Sequence, residues 1–256
     1  MNQTKEIMKQ HRICVIVPTY NNATTIVSVV ERVLLMTDDV IVVIDGCTDD
    51  TRERLDEAKV NVARVDYPEN RGKGHALVAG FKKALEMKYD YAITIDADGQ
   101  HTPEDIPVFV EALQQHPGSL IIGARNLHQE NMPQGNTFAN KFSNFWFKIQ
   151  TGIALQDTQT GYRLYPLQRL SGLRWITSRY EAELELLVFS AWANIPIHSV
   201  PVHVYYPPKG ERVSHFRPFA DFARISILNT VLCFLAVVYG WPRRIIHQLL
   251  HHGQVL

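Results

Sequence analysis

The chain has 256 residues, 46% hydrophobic and 20% charged, enough apolar material for one domain with appendages and inconsistent with wholesale disorder. Its 26 basic and 26 acidic side chains cancel, so no global field attracts nucleic acid and any anion recognition is local. Cys14, Cys47 and Cys233 lie far apart, with neither zinc spacing nor a disulfide framework, which fits a reducing compartment.

Residues 1–12 are polar, without the apolar stretch of a signal peptide, and read as an N-terminal extension. Ile13–Val17 is a continuous apolar run, typical of a strand covered on both faces. Pro18-Thr-Tyr-Asn-Asn22 ends it, and Asn22 or Thr24 can cap a helix carrying Ile26, Val29, Val30 and Val33 at helical spacing. Val40–Ile44 is a second buried strand, closing on Asp45-Gly-Cys-Thr-Asp-Asp-Thr51, where Thr48 or Asp49 caps an exposed, charged helix through Lys59. Asn61–Asp66 is a weaker third strand, interrupted by Arg64. Asn70-Arg-Gly-Lys-Gly74 leads into a helix with Leu77, Phe81, Ala84 and Leu85 on one face. The fourth strand begins at Tyr91 and runs into Asp96-Ala-Asp-Gly-Gln-His101. A helix opened by Pro103 follows, then a fifth strand over Ser119–Gly123.

Strand and helix alternate through this half, which predicts an α/β fold with a mostly parallel sheet and helices on both faces. Tyr20, Asp45, Asp96 and Arg125 all follow strands, so they share the carboxyl edge, where open α/β sheets bind ligands. In an extended chain Asp96 and Asp98 point the same way and can face one cation or one phosphate. A divalent metal is the usual relief for two such close negative charges. The plainer alternative makes one of them a helix cap and leaves the other in water.

The second half has a different texture. Thr137–Gln150 reads as a helix with Phe138, Phe142, Phe145, Trp146 and Phe147 around much of its girth: core, or, with Lys141 and Lys148, a membrane interface. Glu181–Ala193 reads as a helix and Ile197–Tyr206 as a strand. Phe219–Leu250 reads as two apolar or amphipathic helices broken at Gly240-Trp-Pro242. Within it, Ile225–Trp241 is short of the ~20 residues of a simple membrane span, and is expected to lie in or dip into a leaflet. A buried helix packed on the domain is the alternative.

Six segments occur in order: Val17-Pro-Thr-Tyr-Asn21, Asp45-Gly-Cys-Thr-Asp49, Asn70-Arg-Gly-Lys-Gly74, Asp96-Ala-Asp-Gly-Gln-His101, Gly123-Ala-Arg125 and Asp157-Thr-Gln-Thr-Gly-Tyr-Arg163. Together, over about Ile13 to Ser214, they resemble the family 2 glycosyltransferases, and within them the dolichol- and polyprenyl-phosphate sugar transferase branch. The resemblance implies a nucleotide-binding fold of GT-A type over residues 13–216, with a membrane-associating helical tail over 217–256. It also implies inverting transfer of a sugar from a nucleotide-sugar donor, with Mg2+ or Mn2+, to a lipid or lipid-linked acceptor. Location at the cytoplasmic face of a membrane, peripheral or monotopic, follows from the tail.

By that resemblance Pro18, Tyr20, Asn21, Asp45, Lys73, Asp96 and Asp98 bind the donor. Asp98 and Gln100 are the direct metal ligands, with Asp96 in support. Arg125, Asp157, Arg163 and Glu183 are the catalytic candidates: Arg125 and Arg163 as anion contacts, Asp157 or Glu183 (or Glu181) as the base that a hydroxyl acceptor requires. A lipid phosphate is already an anion and requires none. The basic run Lys209-Gly-Glu-Arg-Val-Ser-His-Phe-Arg217 aligns with the family's acceptor loop, and Arg212, Ser214, His215 and Arg217 suit a phosphate. A solvated loop is the plainer reading. The family usually has two adjacent acids where this chain has Ile44 and Asp45, which leaves the base preference open. His101, His198, His203 and His215 match no common metal spacing.

Two rivals stand beside this reading. Asp96-Ala-Asp98 also resembles the haloacid dehalogenase phosphatase signature, with Asp96 as nucleophile, but that signature normally opens a chain and continues differently. A non-catalytic nucleotide-sugar binding module is supported only by Ile44.

Overall fold

The computed structural model describes residues 2–125, 134–173, 177–206 and 218–252. Strand β1 (Ile13–Thr19) is buried along its whole length, and its alternate side chains feed two cores. Ile13, Val15 and Val17 join a core with α1 (Asn2–Gln10), α2 (Ile26–Met36) and α5 (Ile106–Gln115). Cys14 and Ile16 join another with α4 (Lys73–Glu86), α6 (Gln134–Thr151), α8 (Glu181–Trp192) and α9 (Pro218–Leu235). The continuous apolar run read from the sequence is this two-sided burial. Truncating such a side chain, as in Ile16→Ala, is expected to cost about 2–5 kcal/mol.

The other strands are β2 (Val40–Asp45), β3 (Ala63–Tyr67), β4 (Tyr91–Thr94), β5 (Leu120–Arg125), β6 (Arg163–Pro166) and β7 (Ile197–Val202). Helices α3 (Thr51–Glu57), α7 (Leu167–Leu170) and α10 (Trp241–His252) complete the set. The sheet order is β3-β2-β1-β4-β6-β5-β7. All strands run parallel except β6, which pairs antiparallel with β4 and β5. The chain moves outward from β1 through β2 to β3, then returns to the opposite side of β1 as β4. This reversal opens a crevice at the carboxyl ends of β1 and β4. In that pair Ile16 is level with Thr94, so continuing the register brings Pro18 level with Asp96.

Several elements differ from the sequence reading, α7 among them, which it does not contain. Strand β6 was unassigned, since four residues starting with an arginine carry no strand pattern. The polar N-terminal stretch forms α1, whose Met8 is fully buried. Strand β7 stops at Val202 rather than continuing to Tyr206, and Val204 makes only an isolated bridge to His101. Finally, Gly240-Trp-Pro242 does not break the last helix. A π-helical turn over Ala236–Gly240 shifts the hydrogen-bond frame ahead of Pro242, whose missing N–H then leaves the rod continuous. The resulting helix, Ala223–Leu250, is 28 residues long and by length and composition can cross a membrane.

That helix is docked on the domain as far as Gly240, and Trp241–Leu250 is almost wholly exposed. Leu228, Asn229, Leu232, Ala236 and Gly240 are buried. A Cβ on Gly240 would lie 2.4 Å from the Trp192 ring, so glycine permits the close approach. Gln150 donates to Asn229 Oδ1 at 2.9 Å, and Trp192 Nε1 donates to Gln150 O at 2.9 Å. The outward side exposes Ile227, Val231, Phe234 and Val238, continuing through Trp241 to Ile245 and Leu249. In α6 the aromatic stripe is divided: Phe147 is fully buried and Phe145 is exposed, while the side chain of Phe138 lies outside the described residues.

Candidate active site

The turns after β1 and β2 are sewn together. Asn21, with φ of +54°, accepts from Thr48 N–H at 2.8 Å, and Asp49 accepts from Ala23 N–H at 3.0 Å and Thr51 N–H at 3.1 Å. Asp49 thus holds the first N–H of α3, but the cap position is Asp50, without a side-chain cap bond, so neither Thr48 nor Asp49 is the cap. At α2 neither Asn22 nor Thr24 caps: the cap position is Thr25, whose hydroxyl instead donates to Ala97 O at 2.6 Å. That bond ties α2 to the turn carrying Asp96 and Asp98. Pro18 is buried and Tyr20 half-buried at the end of β1.

Asp45, at the end of β2, is buried. Its carboxylate accepts from Arg71 N–H at 2.8 Å and Gly72 N–H at 2.9 Å, with the Asn70 amide at 3.3 Å. Lys73, the first residue of α4, reaches into the crevice. Its ammonium lies 2.8 Å from Asp96 Oδ1, 3.0 Å from Asp96 Oδ2 and 3.0 Å from Glu183 Oε2. Burial alone would lower the lysine pKa, but the two carboxylates outweigh it and hold the ammonium above its ordinary range. Asp96 is likewise held below the usual carboxylate range, the Lys73 charge overcoming burial. Gly161 packs over this cluster, where a Cβ would lie 2.6 Å from Lys73 Nζ and 2.9 Å from Asp96 Oδ2.

Asp98 is the acid left without a counter-ion. It accepts the Gln100 N–H at 2.9 Å and has no ion pair among the described residues, while Lys73 is engaged by Asp96. Burial, and then the Asp96 charge, raise its pKa to about 6. An under-compensated carboxylate with an adjacent acid and Gln100 fits a hard divalent cation. No group of three or more His, Cys, Asp or Glu is found among the described residues. His101, next in the turn, is buried against Tyr162, with ring centroids 5.1 Å apart, and burial lowers its pKa to about 4.

At the end of β5, Arg125 pairs with Asp157 rather than leaving Asp157 to Arg163. Arg125 Nε lies 2.5 Å from Asp157 Oδ2 and Nη2 3.0 Å from Oδ1. Asp157 also accepts from Asn140 Nδ2 at 2.6 Å, Gln159 N–H at 3.0 Å and Thr160 N–H at 3.2 Å. Burial would raise the Asp157 pKa, but the Arg125 bonds hold it low. Arg163 is fully buried, donating to the carbonyls of Thr160, Glu183 and Thr158 at 2.7, 2.8 and 2.9 Å. Those contacts brace the 157–160 turn against α8. Glu181 lies 3.6 Å from Arg224 of α9.

The structure brings Lys73, Asp96 and Glu183 into contact, with Asp98 and Gln100 in the adjoining turn, Pro18, Tyr20 and Asn21 at the end of the neighbouring β1, and Arg125 paired with Asp157 at the β5 side. Asp45 is directed at the 70–72 turn and Arg163 at backbone carbonyls. Arg212, Ser214, His215 and Arg217 lie outside the described residues. Sequence reasoning missed Asn140, which lies in an aromatic helix with no polar signal, and Gly161, visible only as one member of the Asp157–Arg163 motif. The phosphatase alternative needs a free Asp96 oxygen as nucleophile, and both contact Lys73.

Residues 14–167 match the family model described as glycosyl transferase family 2. UDP-N-acetylglucosamine–dolichyl-phosphate N-acetylglucosaminyltransferase of Methanococcus voltae is 30% identical over 220 residues, spanning 78% of this chain and 88% of that protein. Undecaprenyl-phosphate mannosyltransferase of Micrococcus luteus is 30% identical over 170 residues, spanning 63% and 69% respectively. Among solved structures, glucosyl-3-phosphoglycerate synthase from Mycobacterium tuberculosis, in complex with Mn2+, uridine diphosphate and phosphoglyceric acid, superposes with a TM-score of 0.68 at 20% identity. The match covers 92% of this chain and 81% of that one, and shows a shared GT-A-type fold. The chain belongs to glycosyl transferase family 2 and is similar, within it, to the dolichyl- and polyprenyl-phosphate sugar transferases.

Proposed function

We propose that the chain transfers a sugar, with inversion, from a nucleotide-sugar donor to a lipid phosphate, using Mg2+ or Mn2+. The observation that carries this reading is Asp98, an under-compensated carboxylate in the switch-point crevice beside the neutralised Lys73–Asp96 pair. Asp98 and Gln100 hold the cation, with Asp96 in support. When bound, it neutralises the charge that develops on the leaving diphosphate. Pro18, Tyr20 and Asn21 border the nucleotide. Glu183 keeps Oε1 without a hydrogen-bond partner among the described residues, free to accept from a donor hydroxyl.

The acceptor class follows from the state of the carboxylates. Asp157 is saturated by five donor groups and positions Arg125 rather than drawing off a proton. Glu183 pairs with Lys73 through Oε2 alone, and its Oε1 is assigned to a donor hydroxyl rather than to the acceptor. A phosphate needs no general base, whereas a hydroxyl does. Arg125, with Arg212, Ser214, His215 and Arg217, suits the acceptor phosphate. Arg163 is assigned a bracing role. The relatives named above carry dolichyl phosphate and undecaprenyl phosphate in their names, in line with this acceptor.

A lipid acceptor calls for a membrane surface. The last helix packs one side on the domain as far as Gly240 and exposes apolar side chains on its outer side and along α10, an arrangement suited to lying in one leaflet. Arg243 and Arg244 sit across α10 from Ile245 and Leu249, and favour the anionic cytoplasmic face. The non-catalytic alternative finds no missing metal-site residue to support it.

The test is a thermal-shift panel of nucleoside diphosphates with and without Mn2+. The expected result is stabilisation by one nucleotide, only with metal, abolished in Asp98→Asn. Equal stabilisation without metal, or in Asp98→Asn, would remove the basis of the proposal.

A further inference from the structure

Asp45 invites assignment as the group that reads the donor's base or ribose, yet its geometry gives it different work. Both its oxygens are occupied: Oδ1 by Arg71 N–H at 2.8 Å, Oδ2 by Gly72 N–H at 2.9 Å and by the Asn70 amide at 3.3 Å. Those two backbone donors immediately precede α4, where a helix N-terminus would otherwise receive a phosphate. A protein carboxylate already takes these two donors. One residue further on, Lys73 turns into the crevice and meets Asp96 and Glu183. The far side of the turn is held too, by His75 N–H donating to Ser178 O at 3.2 Å, just ahead of the helix that carries Glu183.

We propose that Asp45 is a positioning residue. By holding the 70–72 turn it sets the Lys73 ammonium between Asp96 and Glu183, and it does not select the nucleotide base. The proposal rests on the donor reading above for its kinetic consequences, but not for its structural ones. A buried ammonium is tolerated only where its carboxylates are correctly placed, so displacing the turn reaches the acids through Lys73.

The test compares Asp45→Asn with the unaltered chain by hydrogen exchange and by binding of UDP and GDP with Mn2+. Replacing one oxygen by an amide leaves an N–H facing an N–H, so amides 71 and 72 are expected to exchange about tenfold faster. The ratio of UDP to GDP affinity should stay within about twofold, and turnover should fall about tenfold. In a Lys73→Met background, Asp45→Asn should add no further loss of kcat, which a general structural role would not produce. Should Asp45→Asn fail to fold, Asn70→Ala, which removes the 3.3 Å bonds to the carboxylate and carbonyl of Asp45 and leaves both backbone donors in place, is expected to show the same pattern at about threefold. A shift in the UDP-to-GDP ratio of about tenfold with unchanged exchange would overturn the proposal and make Asp45 a base contact. If the unaltered chain binds neither nucleotide, the donor reading fails, and the exchange measurement still decides the role of Asp45.

Discussion

Arg125 grips Asp157 at two points, with Nε 2.5 Å from Oδ2 and Nη2 3.0 Å from Oδ1, and Asp157 is wholly buried. Removing the charge of Asp157 would leave Arg125 largely buried and uncompensated. Asp157→Asn is therefore expected to lose about 3–5 kcal/mol of stability in urea unfolding. A loss below about 1 kcal/mol would show that the pair is exposed in solution, and would restore Asp157 as a candidate base.

Asp98 retains its proton up to about pH 6, and a cation binding there has to displace it. Affinity for Mn2+ in the presence of nucleotide should be flat above about pH 7 and fall about tenfold per unit below about pH 5.5. Electron paramagnetic resonance of free Mn2+ during titration reads this directly. An affinity constant from pH 5 to 8 would place the metal elsewhere.

Acid stability of the metal-free chain should depend on two neighbouring groups with opposite signs. His101 is lowered to about 4 from 6.5, so its contribution is full above about pH 6.5 and is lost as pH falls towards 4. The size is on the order of 3 kcal/mol over that window. Asp98 is raised to about 6 from 3.8, so its contribution is full below 3.8 and is lost as pH rises through 6. Denaturation at pH 4.5 and 7.5 should show His101→Gln to be less acid-sensitive than the unaltered chain and Asp98→Asn more so. The reverse order would contradict both assignments.

The outward stripe of the last helix should set membrane binding without carrying the fold. Phe234→Ser and Leu249→Ser, both at exposed positions, are each expected to weaken sedimentation with anionic vesicles about tenfold while leaving the melting temperature near that of the parent. Unchanged vesicle binding in the double variant would show that the stripe does not face lipid.

How far these features were legible in the sequence depends on the physics of each. The burial of β1 and β2 was written in uninterrupted apolar runs, and the carboxyl-edge position of Asp45, Asp96 and Arg125 followed from strand alternation. Strand β6 was invisible because its arginine is solvated by backbone carbonyls rather than by water, a tertiary arrangement with no local pattern. The extended geometry read for Asp96 and Asp98 gives way at Ala97–Asp98, which form a turn, although Ile95 still pairs with Ile16 of β1. The Pro242 break was misread for a related reason. A π turn absorbs the missing N–H, and Gly240 serves contact with Trp192 rather than a hinge. Pairing was the least legible level: nothing in the spacing of Arg125, Asp157 and Arg163 said which arginine takes the aspartate.

Transfer itself is the most direct test. Purified chain, Mn2+, a panel of nucleotide-sugars and a polyprenyl phosphate in detergent would be followed by mass spectrometry, and the anomeric configuration of the product by proton NMR. The expected result is a sugar ester of the lipid phosphate with inverted anomeric configuration, lost on chelation of the metal and in Asp98→Asn. Transfer that persists in Asp98→Asn or in chelator, a retained anomer, or nucleotide binding with no transfer from any donor would contradict it.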